Sequence, residues 1–331
     1  MNNRKTILVT GGAGFIGLHL ISALKRKYAG TKIVIVDKFG AGSIDKKIAE
    51  RITYVSECNI CNLKLLKYIF LFHQPDLVFH LAAESHVDRS IDSPLEFFQS
   101  NIIGTTNVIE CVRNINKPVR LVHVSTDEVY GDIAGESTST ESDALRPSSP
   151  YSASKAGSDL AVLAAVRTYG IDACVTRCCN NYGTGQDTEK LIPKIIHNLL
   201  SDKTIPVYGD GKQRREWIHV DDHCNALITV GEKGKKGEIY NIGTSIERPN
   251  IEIIRELLRI IRGGNAKMDA GFEEAFDGVV EFVDDRLGHD VRYALDSTKI
   301  KRDLGWAPAA SMNSSLSLMV DAAKRNELLG Y

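Results

Sequence analysis

Short runs of Val, Ile and Leu without polar alternation recur along the first half of the chain, at 6–10, 32–36, 52–55, 77–81, 120–125 and 172–177. Unbroken apolar runs of this length suit parallel strands covered on both faces. Between them, apolar residues recur at helical spacing over 15–28, 62–72, 95–116 and 151–169. In the first of these Ile16, Leu20 and Leu24 line one side. Lys25, Arg26 and Lys27 crowd its last turn, where cations complement the helix dipole. Strand alternating with helix predicts an α/β fold built on a doubly wound, mostly parallel sheet. After residue 178 the rhythm loosens, punctuated by Gly183-Thr184-Gly185, Gly209-Asp210-Gly211, Gly234 to Gly237 and Gly263-Gly264. That half reads as a smaller α+β region, with pieces returning to complete the first.

A glycine cluster changes this outline into a chemical one. Thr10-Gly11-Gly12-Ala13-Gly14-Phe15-Ile16-Gly17 follows the first strand and opens the first helix. Gly12, Gly14 and Gly17 fit G-x-G-x-x-G, and Gly11, Gly14 and Gly17 fit G-x-x-G-x-x-G. Missing side chains let backbone approach a pyrophosphate seated on the helix N-terminus. Asp37, 20 residues after Gly17, stands where an acid would meet a ribose 2′-OH and repel a 2′-phosphate, which favours NAD over NADP. The first 177 residues are therefore read as an NAD-binding Rossmann domain, with returning segments at about 209–242 and 292–315. Residues 178–331 are read mainly as a substrate-binding domain.

Tyr151 and Lys155, four apart at the start of a helix, share one face. An ammonium near a phenol favours phenolate, giving a base that works near neutrality. Alone, this pair describes an ordinary solvated helix face; behind a dinucleotide fingerprint it points to hydride chemistry. The strand at 120–125 runs into Ser125-Thr126-Asp127-Glu128, at the strand end where open α/β sheets place ligands. Two acids so close cannot ionise independently, so one is expected to stay protonated as general acid while the other serves as base. The bland alternative is a helix cap or surface turn, for which Thr and Asp are typical.

Charge and composition narrow the rest. The 331 residues include 41 Lys and Arg against 42 Asp and Glu, a net charge of −1, which gives no footprint for nucleic acid or anionic membrane. No apolar run approaches a membrane span, and Met1 to Lys5 leads straight into a strand rather than into a leader peptide. Seven cysteines in this length do not suggest a disulfide scaffold, so a reducing cytoplasm is expected. Cys58-Asn59-Ile60-Cys61 lacks a second ligand pair, and no metal is expected.

The segments Thr10 to Gly17, Leu81 to Ser90, Ser125 to Gly131, Ser149 to Ala156, Asn180 to Gly183, Glu189 to Pro193, Tyr208 to Gly211 and Asp285 to Asp290 stand in order. The chain resembles the nucleotide-sugar 4,6-dehydratases of the extended short-chain dehydrogenase/reductase family, over nearly its whole length. The resemblance implies dTDP-glucose as substrate, with Tyr151 taking the 4-OH proton, Thr126 holding that oxygen and Lys155 tuning Tyr151. Glu128 would remove the C5 proton and Asp127 would protonate the departing C6 hydroxyl. It places NAD against Gly11, Gly12, Gly14, Phe15, Ile16, Gly17, Asp37, Asn59, Ile60 and Ala82, together with Tyr151 and Lys155. It places the sugar nucleotide against Ser85, His86, Asn180, Lys190, Leu191, Tyr208, Arg215, Asn250, Arg286 and His289. Arg215 and Arg286 suit its diphosphate. It further implies a homodimer through a four-helix interface made by the helices at 95–116 and 151–169.

Three departures stand out. Lys38-Phe39-Gly40-Ala41-Gly42-Ser43 stands where the family has Leu-Thr-Tyr-Ala-Gly, Asn59-Ile60 replaces an Asp-Ile pair near the adenine, and Gly183-Thr184-Gly185-Gln186 replaces Gly-Pro-Tyr-Gln. The rival readings are the same dehydration of UDP-glucose, a sugar 4-epimerase, which needs Tyr151 and NAD but no acid pair, and a non-catalytic dinucleotide sensor.

Overall fold

A computed structural model of the protein describes residues 5–40, 42–263 and 270–325. Met1 to Arg4, Ala41 and Gly264, used in the sequence reading, lie outside them. Six strands occupy the apolar runs: β1 (Thr6–Thr10), β2 (Lys32–Asp37), β3 (Tyr54–Glu57), β4 (Leu77–His80), β5 (Arg120–Thr126) and β6 (Asp172–Cys178). The third begins at Tyr54 and not at Ile52. Asp45 caps a short helix that runs through Ile52, accepting a hydrogen bond from the Lys47 N–H (2.8 Å), so the helix takes the residues a strand would have used.

The second half adds β7 (Asn180–Tyr182), β8 (Ile205–Tyr208), β9 (Arg214–His219), β10 (Ile239–Ile242), β11 (Glu247–Pro249) and β12 (Val280–Val283). The main sheet has seven strands in the order β3-β2-β1-β4-β5-β6-β10, all parallel. Successive strands run outward from β1 on one side and from β4 on the other. The crevice outside the carboxyl ends of β1 and β4 is thus the switch point where such sheets bind ligands. Within 209–242 the structure divides the segment: β10 joins the main sheet, whereas β9 pairs with β7 and β11 in a separate three-stranded sheet. Leu295, Ile300, Leu304 and Trp306 pack into the main core.

The helices that matter to the site are α1 (Phe15–Lys27), α2 (Lys46–Ile52), α3 (Leu63–His73), α4 (Val87–Asp92), α5 (Pro94–Phe98), α6 (Gly104–Arg113) and α7 (Pro150–Tyr169). The helix expected over 95–116 comes in three pieces and stops at Arg113. Between α5 and α6, Gln99–Ile103 forms a π-helical turn. Such a turn re-aims one side chain, and here it buries Asn101 at 1% exposure. The Asn101 amide accepts from the Glu84 N–H (2.8 Å) and donates to the Glu84 carbonyl (3.0 Å), clamping the loop that follows β4.

Beneath the site runs a buried polar chain. Arg177 of β6 donates through Nε to Asp159 of α7 (2.9 Å) and through NH1 to the Tyr130 hydroxyl (2.9 Å), which in turn donates to Asn241 of β10 (2.8 Å). Asp159 is fully buried and Arg177 nearly so. Removing one partner of such a pair strands the other charge. Asp159→Ala is therefore expected to cost about 3–5 kcal/mol, read as a lower urea midpoint with unchanged slope.

Candidate active site

The carboxyl ends of β1, β2, β4, β5 and β6 open on a cavity of about 380 Å³. Gly11, Gly14, Phe15, Ile16 and Gly17 line one wall. Gly11 takes a φ of +70°, and a Cβ there would fall 2.6 Å from the Ala82 nitrogen. A Cβ on Gly17 would lie 2.4 Å from the Gly11 carbonyl oxygen, so helix and loop touch backbone to backbone. On Gly14 it would meet only the Gly11 oxygen at 3.4 Å, leaving open space over the helix end. No side chain caps the α1 N-terminus. This glycine cradle over a helix end without a side-chain cap fits the pyrophosphate of a dinucleotide. Gly12 faces Ile35 and does not line the cavity; its hydrogen atom is what the β2 side chains have room for. Because the Gly11 backbone cannot withdraw, Gly17→Ala is expected to destabilise the fold by about 1–3 kcal/mol. Thermal unfolding, run beside the dinucleotide content of the purified variant, checks this.

Asp37 ends β2 at the cavity edge. Its carboxylate already accepts from the Ala13 N–H (3.0 Å), the Phe39 N–H (2.9 Å) and the Ser43 hydroxyl (3.1 Å). It therefore organises the glycine loop from the cavity edge. Asn59, Ile60 and Ala82 line the same cavity. The Asn59 side-chain oxygen accepts the Cys61 N–H (2.9 Å) in its own turn, which fixes the amide at the cavity wall. Burial pushes the Cys58 thiol up to about 11 and raises Cys61, so this C-x-x-C pair holds thiols rather than thiolates.

Ser149 caps α7 in a reciprocal capping box with Ser152, and Pro150 occupies the first turn. That fixes the entry of Tyr151, whose N–H donates to Ser90 (3.2 Å) and whose ring meets Phe97 of α5 edge to face at 6.4 Å. Lys155, 5% exposed, donates to the Val124 carbonyl (2.7 Å). Both line the cavity. The expected lowering of the Tyr151 pKa is not what the chain alone produces. Burial raises it strongly, Glu128 and Asp127 raise it further, and a hydrogen bond with Thr126 opposes them. The cause is position: the phenol sits among carboxyls, while the Lys155 ammonium is spent on a backbone carbonyl and pulled down to about 8 by burial.

Thr126 ends β5 and caps the one-turn 3₁₀ helix Asp127–Tyr130, accepting from the Glu128 N–H (3.3 Å). The cap and the acids are the same feature, which is why the bland sequence reading was available. The Thr126 hydroxyl also donates to Asp127 Oδ1 (3.1 Å), while Oδ2 is buried without a partner. Burial and the neighbouring Glu128 push the Asp127 carboxyl well above its usual range. Burial raises Glu128 too, but the Arg286, Arg215 and Lys190 cations pull it back. One carboxyl faces carboxyls and the other faces cations, a separation that divides acid from base.

Ser85, His86, Asn180 and Lys190 line this same cavity, and the Lys190 ammonium donates to the Ser85 carbonyl (2.9 Å). The other substrate positions lie outside it. Tyr208, half-exposed at the end of β8, and Arg286 both reach Asp88 of α4, at 3.4 and 3.3 Å. His289 pairs with Asp285 (2.6 Å) against the Tyr208 ring. Leu191 opens one helix and Asn250 another, the latter with its side-chain oxygen buried and unpartnered. Arg215, expected on a diphosphate, is 5% exposed and spends its guanidinium on the carbonyls of Arg214 (2.9 Å), Asp290 (2.7 Å) and Val291 (3.2 Å). Its charge reaches Glu128 electrostatically, but its donors secure the 290–291 strand of chain. The sequence reading missed Asn101, Cys178 and His223, the last two of which line the cavity. Their separations in sequence leave no periodic signal.

Fold and site place the chain among the extended short-chain dehydrogenases/reductases, whose hydride transfers need a phenol and an ammonium beside a dinucleotide. Within that class, residues 8–319 match the family described as GDP-mannose 4,6 dehydratase, and the chain belongs to this family. It is 46% identical to a dTDP-glucose 4,6-dehydratase of Neisseria meningitidis, covering 94% of this chain and 91% of the relative. A dTDP-glucose 4,6-dehydratase from Streptomyces venezuelae, solved with NAD bound, superposes with a TM-score of 0.88 at 41% identity, covering 97% of both chains. A UDP-glucose 4-epimerase from Thermotoga maritima superposes at 0.86 but is 29% identical, covering 97% of this chain and 99% of its own. The scaffold is shared by both activities, while the sequence sides with dehydration.

Proposed function

We propose that this protein is a dTDP-glucose 4,6-dehydratase that works with NAD held in the cavity over Gly11, Gly14 and Gly17. The observation that carries this reading is the acid pair: Asp127 and Glu128 face the cavity beside Tyr151, one among carboxyls and one among cations. A 4-epimerase would leave both acids idle. Their integrity, with that of Tyr151 and Lys155, equally disfavours a non-catalytic sensor.

The bound cofactor supplies a hydride acceptor for sugar C4 and a hydride donor for C6. Tyr151 takes the proton from the 4-hydroxyl while Thr126 holds the same oxygen, and Lys155 keeps a positive charge behind the phenol. The 4-ketone acidifies the C5 proton, which the Glu128 carboxylate removes. Asp127, protonated, gives its proton to the C6 hydroxyl, so that water and not hydroxide leaves. Asn180 and Lys190 hold the sugar end, and Arg286, released from Asp88, pairs with the diphosphate. No net redox change results.

Incubation with dTDP-glucose and, separately, UDP-glucose in deuterated water tests the reading. The expected dTDP product has lost one water and carries solvent deuterium at C5, with no net NADH. A product of unchanged formula inverted at C4 would instead make this an epimerase, and faster turnover of the uridine substrate would move the base preference.

The protein is further read as a homodimer in the cytoplasm. Leu95 and Phe98 of α5, Ile103 of the π turn and Leu160 of α7 are exposed apolar residues on neighbouring helices, which supports a four-helix interface. Leu160→Glu is expected to give a monomer by light scattering. All seven cysteines are free thiols, which suits a reducing compartment. Among the described residues, no helix is long and apolar enough to cross a membrane.

A further inference from the structure

The proposed chemistry leaves one cluster in the cavity unused. Cys178 ends β6, directly opposite Thr126 in the parallel ladder with β5, so both side chains emerge on the same face at the same level. Thr126 and Tyr151 mark where the sugar C4 must stand, and the reactive ring of the cofactor must stand beside it. Cys178 lines the cavity at this point, and so does His223 of the helix Val220–Lys233.

The groups around the sulfur are arranged for an anion. Asn181 donates through Nδ2 to Cys178 Sγ (3.4 Å), and its Oδ1 holds His223 Nδ1 (2.8 Å). That bond aims the imidazole, whose Nε2 is buried at 1% residue exposure and has no hydrogen-bond partner. We infer that Cys178 is a positioning residue: its sulfur, which accepts from Asn181 beside the unpartnered His223 imidazole, lies against the nicotinamide and favours the oxidised, cationic ring over the neutral reduced one. This rests on the reading that the cavity holds NAD.

Electrostatics support the geometry. The Cys179 S–H and His223 draw the Cys178 thiol down despite its burial. Glu216 and Asp127 are the acids that face the pair and oppose ionisation. An anion beside the ring deepens the resting NAD⁺ state, which an enzyme that must end each cycle oxidised requires. The thiolate itself forms no bond and donates no electron pair permanently.

The test is the near-ultraviolet spectrum of the holoenzyme as purified. A thiolate stacked on an oxidised nicotinamide adds a broad charge-transfer band that neither NAD⁺ nor the protein alone has. The band is expected in wild type, absent in Cys178→Ser, present in Cys179→Ser, and reversibly lost on acidification. His223→Gln is expected to move the midpoint of that loss to higher pH. In Cys178→Ser, affinity for NADH relative to NAD⁺ is expected to rise about tenfold, the effect of one differential interaction of 1.4 kcal/mol. A wild-type spectrum without the band, although denaturation releases stoichiometric NAD⁺, would overturn the inference about Cys178. Denaturation that releases no nicotinamide nucleotide, with none taken up on addition, would overturn the cofactor reading itself.

Discussion

Asp127→Asn is expected to stop the reaction halfway. Water loss falls by about 10²–10⁴-fold, the usual worth of a positioned general acid, while C4 oxidation persists and NADH absorbance builds up on mixing with dTDP-glucose. The substitution keeps the shape and the neutral hydrogen bond to Thr126 but cannot deliver a proton to the C6 hydroxyl. Rapid mixing separates the two half-reactions, and an unchanged rate of water loss would remove Asp127 from the acid role. Stability carries a second signature. The native Asp127 carboxyl holds its proton above 3.8, where the unfolded chain has lost it. Protons bound in excess by the native state make stability fall as pH rises, so this contribution weakens above pH 3.8. Asn abolishes that titration. The urea midpoint of the variant should therefore gain on wild type as pH is raised from 4 toward neutrality.

Tyr151→Phe is expected to abolish the first step as well. Loss of the hydroxyl removes the base for the 4-OH proton, and kcat should fall by about 10²–10⁴-fold with no NADH transient. The ring remains, so its contact with Phe97 and the capped start of α7 remain too, and NAD content should equal that of wild type. The two variants are thus told apart by one absorbance trace. Burial and the two acids raise the Tyr151 pKa, so the wild-type rate should climb with pH as the phenol loses its proton. The phenylalanine variant should lack that limb. A residual rate within tenfold of wild type would assign the base elsewhere.

How far the sequence carries differs from residue to residue. The glycine loop, Asp37, Thr126 to Glu128, and Tyr151 with Lys155 were legible because each is a short pattern whose spacing has a physical reason. Five of the six strands called were close to place because buried parallel strands have no polar face to obscure them. β10 was not separately called, being four residues long after a glycine turn. The break at Gln99–Ile103 left no trace either, since a π turn inserts one residue without changing the apolar character of its helix. Arg215 shows another limit: its charge was legible in the sequence, but its hydrogen bonds to the carbonyls of Arg214, Asp290 and Val291 were not, because two of these arrive from 75 and 76 residues away.

By itself the sequence determined the doubly wound fold, the dinucleotide fingerprint and the constellation at Thr126 to Lys155, all local in chain or set by period. Only the tertiary structure decided the electrical state of that constellation. Which carboxyl is protonated depends on Arg286, Arg215 and Lys190 arriving at Glu128 from the second half of the chain. The Tyr151 pKa depends on the acids folded against it, and the Cys178 thiol faces the cavity level with Thr126 because β5 and β6 pair in one register. Coulomb interactions and burial act through space at a few ångströms, and no spacing along the chain encodes which distant side chains will come that close.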